Sequence, residues 1–324
     1  MADDLKNEMP ENNFVPVYFM GSEDADLDEL GYIYLAGEKL VWQTNQTGAV
    51  GRMMVDDNLL KLISKISGTI GNQLFGENLI SLLKRCYSIG KTIQQATLEL
   101  VNSLFAHYGL LVLIPDNEIF KTAFKDILKK EISTQFSSKA LQFTVNELNE
   151  KHYKVQTAGR NINLFYLYEN IRERIEAVGE NFEVKNVSKS FNFDEILAEI
   201  GQNPQNFSPN VVLRPVFQEL ILPNIAFIGG GGELAYWLEL KQVFQEARVP
   251  YPVLFLRNSF LLVDEKSDKN IHKLQFSNEE IFQSSFELSN QYIRRTEANL
   301  FSIQNEKTEI LKAYESINQK LVNL

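Results

Sequence analysis

The segment Asn224–Lys241 reads NIAFIGGGGELAYWLELK. Ile225 to Ile228 form a short apolar run, the pattern of a strand buried on both faces. Gly229, Gly230, Gly231 and Gly232 follow, and glycine alone permits positive φ and close backbone approach at successive positions. Leu234, Trp237, Leu238 and Lys241 then recur at helical spacing, with Glu233 in the first turn, where a carboxylate suits the helix dipole. Strand, glycine turn and helix in this order build the ligand crevice of doubly wound α/β domains, and backbone N–H groups at such a helix start can hold an anion. A tight turn without a ligand is the plain alternative. Gly230, Gly232 and Ala235 also fit the G-x-G-x-x-A dinucleotide spacing. The acidic residue expected ~20 positions on is replaced by Arg257, which disfavours a nicotinamide cofactor.

On either side of this segment the α/β pattern extends. Phe14–Met20 (FVPVYFM) and Gly109–Pro115 (GLLVLIP) read as buried strands, and residues 2–9 as the tail of a helix. Val211–Pro215 and Pro252–Leu256 continue the pattern, so that Arg214 and Arg257 are each expected to follow a strand. Gly31–Trp42 suggests a hairpin around Ala36-Gly37-Glu38. Residues 57–106 read as helices broken near Gly68 and Gly76, and a further helix is expected from Asn117 to about Lys130. Between Phe143 and Lys185 the texture becomes antiparallel β, with HYKVQ, NINLFYLY and ENFEVKN as strands. A short helix capped by Asn192 follows, and then a polar linker, Gln202–Asn210.

From Ser277 onward the 324-residue chain has neither glycine nor proline. Ile303, Ile310, Ile317 and Leu324 lie seven apart, with Leu300, Lys307, Tyr314 and Leu321 offset by three. This is an a/d heptad seam with one polar position, and it predicts a coiled-coil helix that dimerises. The seam still runs at the last residue, so the chain is expected to be cut there, and the early strand suggests a start inside a domain.

Composition narrows the function classes. Apolar residues make up 44% and charged residues 23%, as in ordinary globular proteins. A formal net charge of −10 argues against non-specific nucleic-acid binding. No apolar run reaches ~20 residues, so no membrane span is expected. A lone cysteine, Cys86, excludes an internal disulfide and fits a reducing cytoplasm. It lies in a helical stretch without a neighbouring histidine and reads as buried and inert, and His107, His152 and His272 make no metal spacing.

Candidate site residues cluster after strands. Glu23, Asp24, Asp26, Asp28 and Glu29 stand just past the Phe14–Met20 strand, where carboxylates could hold an amine, bind Mg²⁺ or act as a base. A solvated acidic loop is the alternative. Arg214 and Arg257, with Asn258 and Ser259, suit carboxylates or phosphates, and structural ion pairs are the competing role. Arg160 and Asn161 carry the same two readings, the alternative there being a turn. Tyr236 could line a pocket, whereas Trp237 is expected in the core.

Six ordered segments, FVPVYFMGSEDADLDELGYIYL, NQTGAVGRM, GRNINLFYL, SPNVVLRPVFQE, LPNIAFIGGGGELAYWLELK and VLFLRNSFLLVDE, resemble the bacillithiol biosynthesis cysteine-adding enzyme family, BshC. The resemblance implies an α/β, Rossmann-like core akin to nucleotidyltransferases and class I synthetases, with an inserted α+β connecting region and a C-terminal coiled-coil helix. It divides the chain into core residues 1–130 and 209–270, an insertion at 131–208 and the start of the coiled coil at 271–324. It places the family's first core strand upstream of these residues and most of its coiled coil downstream. The implied activity is a carbon–nitrogen ligase joining L-cysteine to the amine of glucosaminyl malate, with ATP and Mg²⁺ as the expected helpers and Glu23, Asp24 and Asp26 matching the family's acidic motif. A non-catalytic nucleotide-fold binding or scaffold protein, dimerising through its C-terminal helix, is the second reading.

Overall fold

In the computed structural model, residues 1–157, 159–222, 224–296 and 303–322 are described. They fall into two units, Met1–Arg257 and Asn258–Leu324. In the first unit the strands are β1 Val17–Phe19, β2 Tyr32–Leu35, β3 Glu38–Val41, β4 Leu111–Leu113, β5 Leu164–Tyr168 and β6 Ile171–Val178. They continue with β7 Asn181–Val184, β8 Lys189–Phe191, β9 Phe207–Pro209, β10 Ala226–Gly229 and β11 Val253–Leu256. Two parallel pairs, β1 with β4 and β10 with β11, carry the α/β character. A five-stranded antiparallel sheet runs in the order β8-β7-β6-β5-β9. β2 and β3 form the expected hairpin, with positive φ at Ala36 and Gly37 in its turn.

One apolar cluster underlies both kinds of sheet. It includes Phe124, Leu128, Leu164, Tyr166, Phe207, Phe217, Trp237 and Phe244, and Phe19 of β1 and Phe227 of β10 pack against it. Trp237 takes the core role its helical spacing implied: it is 1% exposed and stacks on Phe227 at 3.9 Å. Asn192 caps the Phe193–Gln202 helix through a reciprocal pair with Glu195.

Several local expectations are corrected. The Ile225–Ile228 run is not buried on both faces: Ile228 is 53% exposed, because its sheet has only two strands and one face on the core. Gly68 does not break a helix. Asp57–Ile70 passes through it, and Gly76–Cys86 and Ile93–Phe105 complete a run of three helices. HYKVQ forms no strand: the Phe136–Glu150 helix occupies the start of the expected β region, and His152 N and Tyr153 N donate back to its carbonyls. The N–H groups of Gln156 and Thr157 donate to the buried Glu239 carboxylate at 2.6 and 3.0 Å instead of to a ladder. β6 was unexpected, because IRERIEAV is rich in helix formers. The Gln202–Asn210 linker contains β9, fully buried and antiparallel to β5. Val211–Pro215 is a turn and helix start: the Asn210 side chain accepts from Val212 N at 2.9 Å, and the Arg214–Ile221 helix opens with proline in its first turn.

The second unit holds the helices Glu265–Lys273, Ser285–Thr296 and Gln304–Val322. The first two bury no residue, and Arg295 pairs with Glu280. Of the expected seam, Ile303, Ile310, Tyr314, Ile317 and Leu321 are exposed, and Leu300 and Leu324 lie outside the described residues. Among the described residues no helix is long and apolar enough to cross a membrane.

Candidate active site

The acidic loop after β1 is held from below by its backbone. Gly51 N donates to Ser22 O at 2.9 Å and Val50 N to Asp24 O at 2.8 Å. A Cβ on Gly51 would stand 2.4 Å from Ser22 O, so glycine is required for the two loops to meet. The same NQTGAVGRM segment leans on the β5–β6 turn. Thr47 Oγ1 donates to Asn170 O at 2.9 Å, and Gly48, at φ +85°, has no room for a Cβ against the Asn170 backbone.

Each acid of the loop meets a different fate. Glu23 is buried, pairs with the fully buried Lys121 and accepts from Ser208 Oγ of β9 at 3.1 Å. Lys121 also donates to Phe207 O at 2.7 Å. Asp24 receives Arg214 Nη1 on both oxygens, at 2.7 and 2.8 Å. Arg172 Nη2, from β6, stands 4.0 Å from Asp24 Oδ1. Asp26 is exposed at the start of the short Leu27–Leu30 helix and makes no side-chain cap. Below the loop, Arg52 grips Asp116 with two bonds of 2.7 Å. Phe19, Met20, Gly21, Glu23, Asp24, Pro115, Arg172, Pro209, Arg214 and Phe217 line one narrow cleft.

Electrostatics follows this burial. Desolvation works against the Arg214 charge, yet Asp24 and then Tyr236 hold its pKa above the ordinary arginine value. Burial pushes the Tyr236 hydroxyl up, with Arg214 pulling the other way. Burial pulls Arg172 below the usual arginine range, against the opposing pull of Asp24 and Glu23. Arg52 is held above it by its bond to Asp116, against burial.

Asp24 and Arg214 are therefore joined directly, and Arg214 in turn feels Tyr236 of the Gly231–Glu239 helix electrostatically. The glycine turn stands at the start of that helix. None of its four glycines has a positive φ. A Cβ on Gly231 or Gly232 would meet nothing within 4 Å, so their bare backbone faces open space. Arg257 lies beside the turn, its Nε 3.3 Å from where a Gly230 Cβ would stand. Glu233 caps its own helix by accepting Gly230 N at 3.1 Å, so its carboxylate is spoken for locally. Asn258 begins the second unit and is exposed.

Arg160 and Asn161 are exposed, and the motif's weight falls on Asn163 instead. Fully buried, Asn163 donates to Ser137 Oγ at 2.7 Å and Arg160 O at 2.9 Å. Its Oδ1 accepts from Arg160 N at 3.1 Å and from Asn210 Nδ2 at 2.8 Å. Its backbone N–H reaches Glu131 at 3.0 Å, and burial raises that glutamate's pKa against these hydrogen bonds. Asn210 O in turn accepts Arg214 N at 2.8 Å, so the network sets the helix start that carries Arg214.

The acidic loop does not suit a divalent cation in this arrangement. Two of its three candidate carboxylates are neutralised by Lys121 and Arg214. Among the described residues no group of three or more His, Cys, Asp or Glu side chains is placed to hold a metal ion. Sequence reasoning missed Lys121, Arg172 and Asn163. Lys121 and Asn163 look like surface polar residues until packing buries them, and Arg172 stands in a charged run, IRERIEAV, without a clear apolar alternation.

Comparison with known proteins adds the remaining findings. Residues 1–258 match the family described as bacillithiol biosynthesis BshC, N-terminal Rossmann-like domain. A protein of Flavobacterium johnsoniae, provisionally named cysteine ligase BshC, is 39% identical over 312 residues, covering 96% of this chain and 58% of its own. A namesake from Flavobacterium psychrophilum is 38% identical over 319 residues, covering 98% and 60%. A third, from Cytophaga hutchinsonii, is 36% identical over 317 residues, covering 98% and 59%. The chain thus spans about three-fifths of the length of the curated relatives it matches.

Proposed function

The chain belongs to the bacillithiol biosynthesis BshC family, and on that premise we propose that it serves as a cytoplasmic cysteine ligase, joining L-cysteine to the amine of glucosaminyl malate. The observation that carries this reading is the Asp24–Arg214 pair, which joins the acidic loop to the start of the Arg214–Ile221 helix within one cleft. The substrate would carry an amine at one end and carboxylates at the other. A cleft holding Asp24 beside Arg214 and Arg172 offers a partner for each.

The roles follow from chemistry. Amide formation needs the amine in its neutral form, so a carboxylate must accept an ammonium proton. Asp24 or the exposed Asp26 takes that part, while Glu23, locked to Lys121, positions the loop. ATP supplies the activation that makes a carboxyl oxygen a leaving group. The exposed glycines Gly231 and Gly232 at the helix start, with Arg257 alongside, suit its phosphates. We take residues 1–130 and 209–270 as the two parts of the core and 131–208 as an insertion that lends Arg172 to the cleft. The exposed seam residues Ile303, Ile310 and Ile317 favour a homodimer through the C-terminal helix, which also suits the scaffold reading.

The test is direct. The chain and, as a full-length comparator, its Flavobacterium johnsoniae relative are incubated with L-cysteine and glucosaminyl malate, with and without ATP. Mass spectrometry then looks for the cysteine adduct. An ATP-dependent adduct supports the ligase, and its absence from both proteins sinks that reading.

A further inference from the structure

We propose that Arg172 is the oxyanion-binding residue of the cleft, forming with Arg214 a two-guanidinium clamp for a substrate carboxylate. The proposal rests on reading the cleft as the substrate site, and it adds a residue from β6 that no sequence motif marked.

Four cations stand around the acidic loop: Arg52, Lys121, Arg172 and Arg214. Three buried or half-buried acids answer them. Asp116 is gripped twice by Arg52, Glu23 is paired with Lys121, and Asp24 is held on both oxygens by Arg214. Arg172 is left over. Its nearest acid oxygen, on Asp24, is 4.0 Å away and already engaged by Arg214, and Glu23 and the exposed Asp26 act on it without a hydrogen bond. The Arg172 side chain is 10% exposed, and its Nε is buried with no hydrogen-bond partner. The guanidinium carbon lies 3.9 Å from the Phe165 ring centroid, so the ring packs against the charged group. A buried guanidinium with no acid in hydrogen-bond reach is costly unless something completes it, and a planar fork fits a carboxylate with two parallel bonds. Arg172 lines the same cleft as Arg214 and Asp24. Without ligand, Asp24 is the internal carboxylate nearest the clamp, and an incoming carboxylate competes with it.

The competition supplies a test whose arms move in opposite directions. L-Malate and inorganic phosphate are titrated calorimetrically into the 324-residue chain, with D-glucosamine as a probe lacking a carboxylate. The parent should bind malate. Arg172→Met should weaken that binding at least tenfold, and Arg172→Lys, which keeps the charge but loses the fork, should fall between. Asp24→Asn should tighten it several-fold by removing the internal competitor, an effect no purely structural role for Arg172 would give. Circular dichroism checks that each variant is folded; if Arg172→Met is not, the Lys and Asn variants decide. Malate binding by Arg172→Met within twofold of the parent overturns the proposal, as does weaker binding by Asp24→Asn. Phosphate that binds the clamp tenfold more tightly than malate overturns the carboxylate assignment. Adduct formation is measured separately. No adduct with the titrations as expected means that the reaction fails and the clamp stands. An adduct with unchanged malate binding by Arg172→Met means the reverse.

Discussion

Lys121→Met should be among the most damaging single changes in the first unit. Lys121 is 0% exposed, and its ammonium pairs with Glu23, bonds Phe207 O at 2.7 Å and sits 5.2 Å from the Phe217 ring centroid. Methionine fills much the same space, so the loss is electrostatic. Glu23, 7% exposed, would keep only the Ser208 hydroxyl at 3.1 Å as a hydrogen-bond donor. Breaking one half of a buried pair costs about 3–5 kcal/mol, because the other charge is left uncompensated. At about 2–4 °C per kcal/mol for a domain of this size, the melting temperature should fall by roughly 6–20 °C. Adding Glu23→Gln removes the stranded charge while keeping an acceptor for Ser208. The double variant should recover to a loss of about 1–3 kcal/mol, the residue being the unmet Phe207 carbonyl. Urea denaturation of the four proteins of this cycle gives the coupling. A loss below 1 kcal/mol for Lys121→Met, or a double variant as unstable as the sum of the singles, would refute the reasoning.

Gly51→Ala drives a Cβ to 2.4 Å from Ser22 O, so it should destabilise by about 1–3 kcal/mol and weaken malate binding, whereas Gly231→Ala, in open space, should leave stability within about 1 kcal/mol; equal stability losses in thermal melts would contradict this. Burial raises the Glu131 pKa in the folded state, so its stability contribution is present below the unfolded carboxylate value and is lost as pH rises through the folded one. Relative to Glu131→Gln, the parent should therefore lose stability from about pH 4 toward neutrality, and parallel denaturation profiles would count against it. Changing Ile310 and Ile317 together to Asp should shift a concentration-dependent dimer to monomer in sedimentation, since each buried isoleucine is worth about 1.5–3 kcal/mol; a parent that is monomeric at every concentration argues against the seam.

What could be read in advance was whatever the local chain specifies by itself. The strand, turn and helix around Gly229–Gly232 need only apolar spacing and glycines, and they form as expected. Asn192 and Glu195 cap a helix three residues apart, a wholly local device. The Rossmann-like family was legible too, because six motifs in order are hard to meet by chance. The failures share a cause. β9 hides in QNPQNFSPN because its partners are Leu164, Phe165 and Tyr166, some forty residues away. HYKVQ looks like a strand, but His152 N and Tyr153 N donate back to carbonyls of the preceding helix and Gln156 N to Glu239 of another. IRERIEAV has the composition of a helix and becomes a strand between two others.

The site follows the same division, and here the distinction carries functional weight. Asp24 and Arg214 were each picked from their own neighbourhoods, yet only the fold joins them across 190 positions at 2.7 Å. Arg172 and Lys121 could not be picked at all, since a charge in a polar-looking segment reads as solvated until packing buries it. Stability alone does not account for such a cluster. Buried ion pairs gain little over apolar residues of similar volume, and an unmatched guanidinium adds a further cost. Burial also raises the worth of any bond the cleft makes to an incoming charge, because little water remains to screen it. A substrate carboxylate meeting Arg172 would give that guanidinium the hydrogen-bonded acid the protein does not supply, and it would loosen the Asp24–Arg214 bond in the same step. Binding the acid end of the substrate would thereby free a carboxylate to act on its amine end.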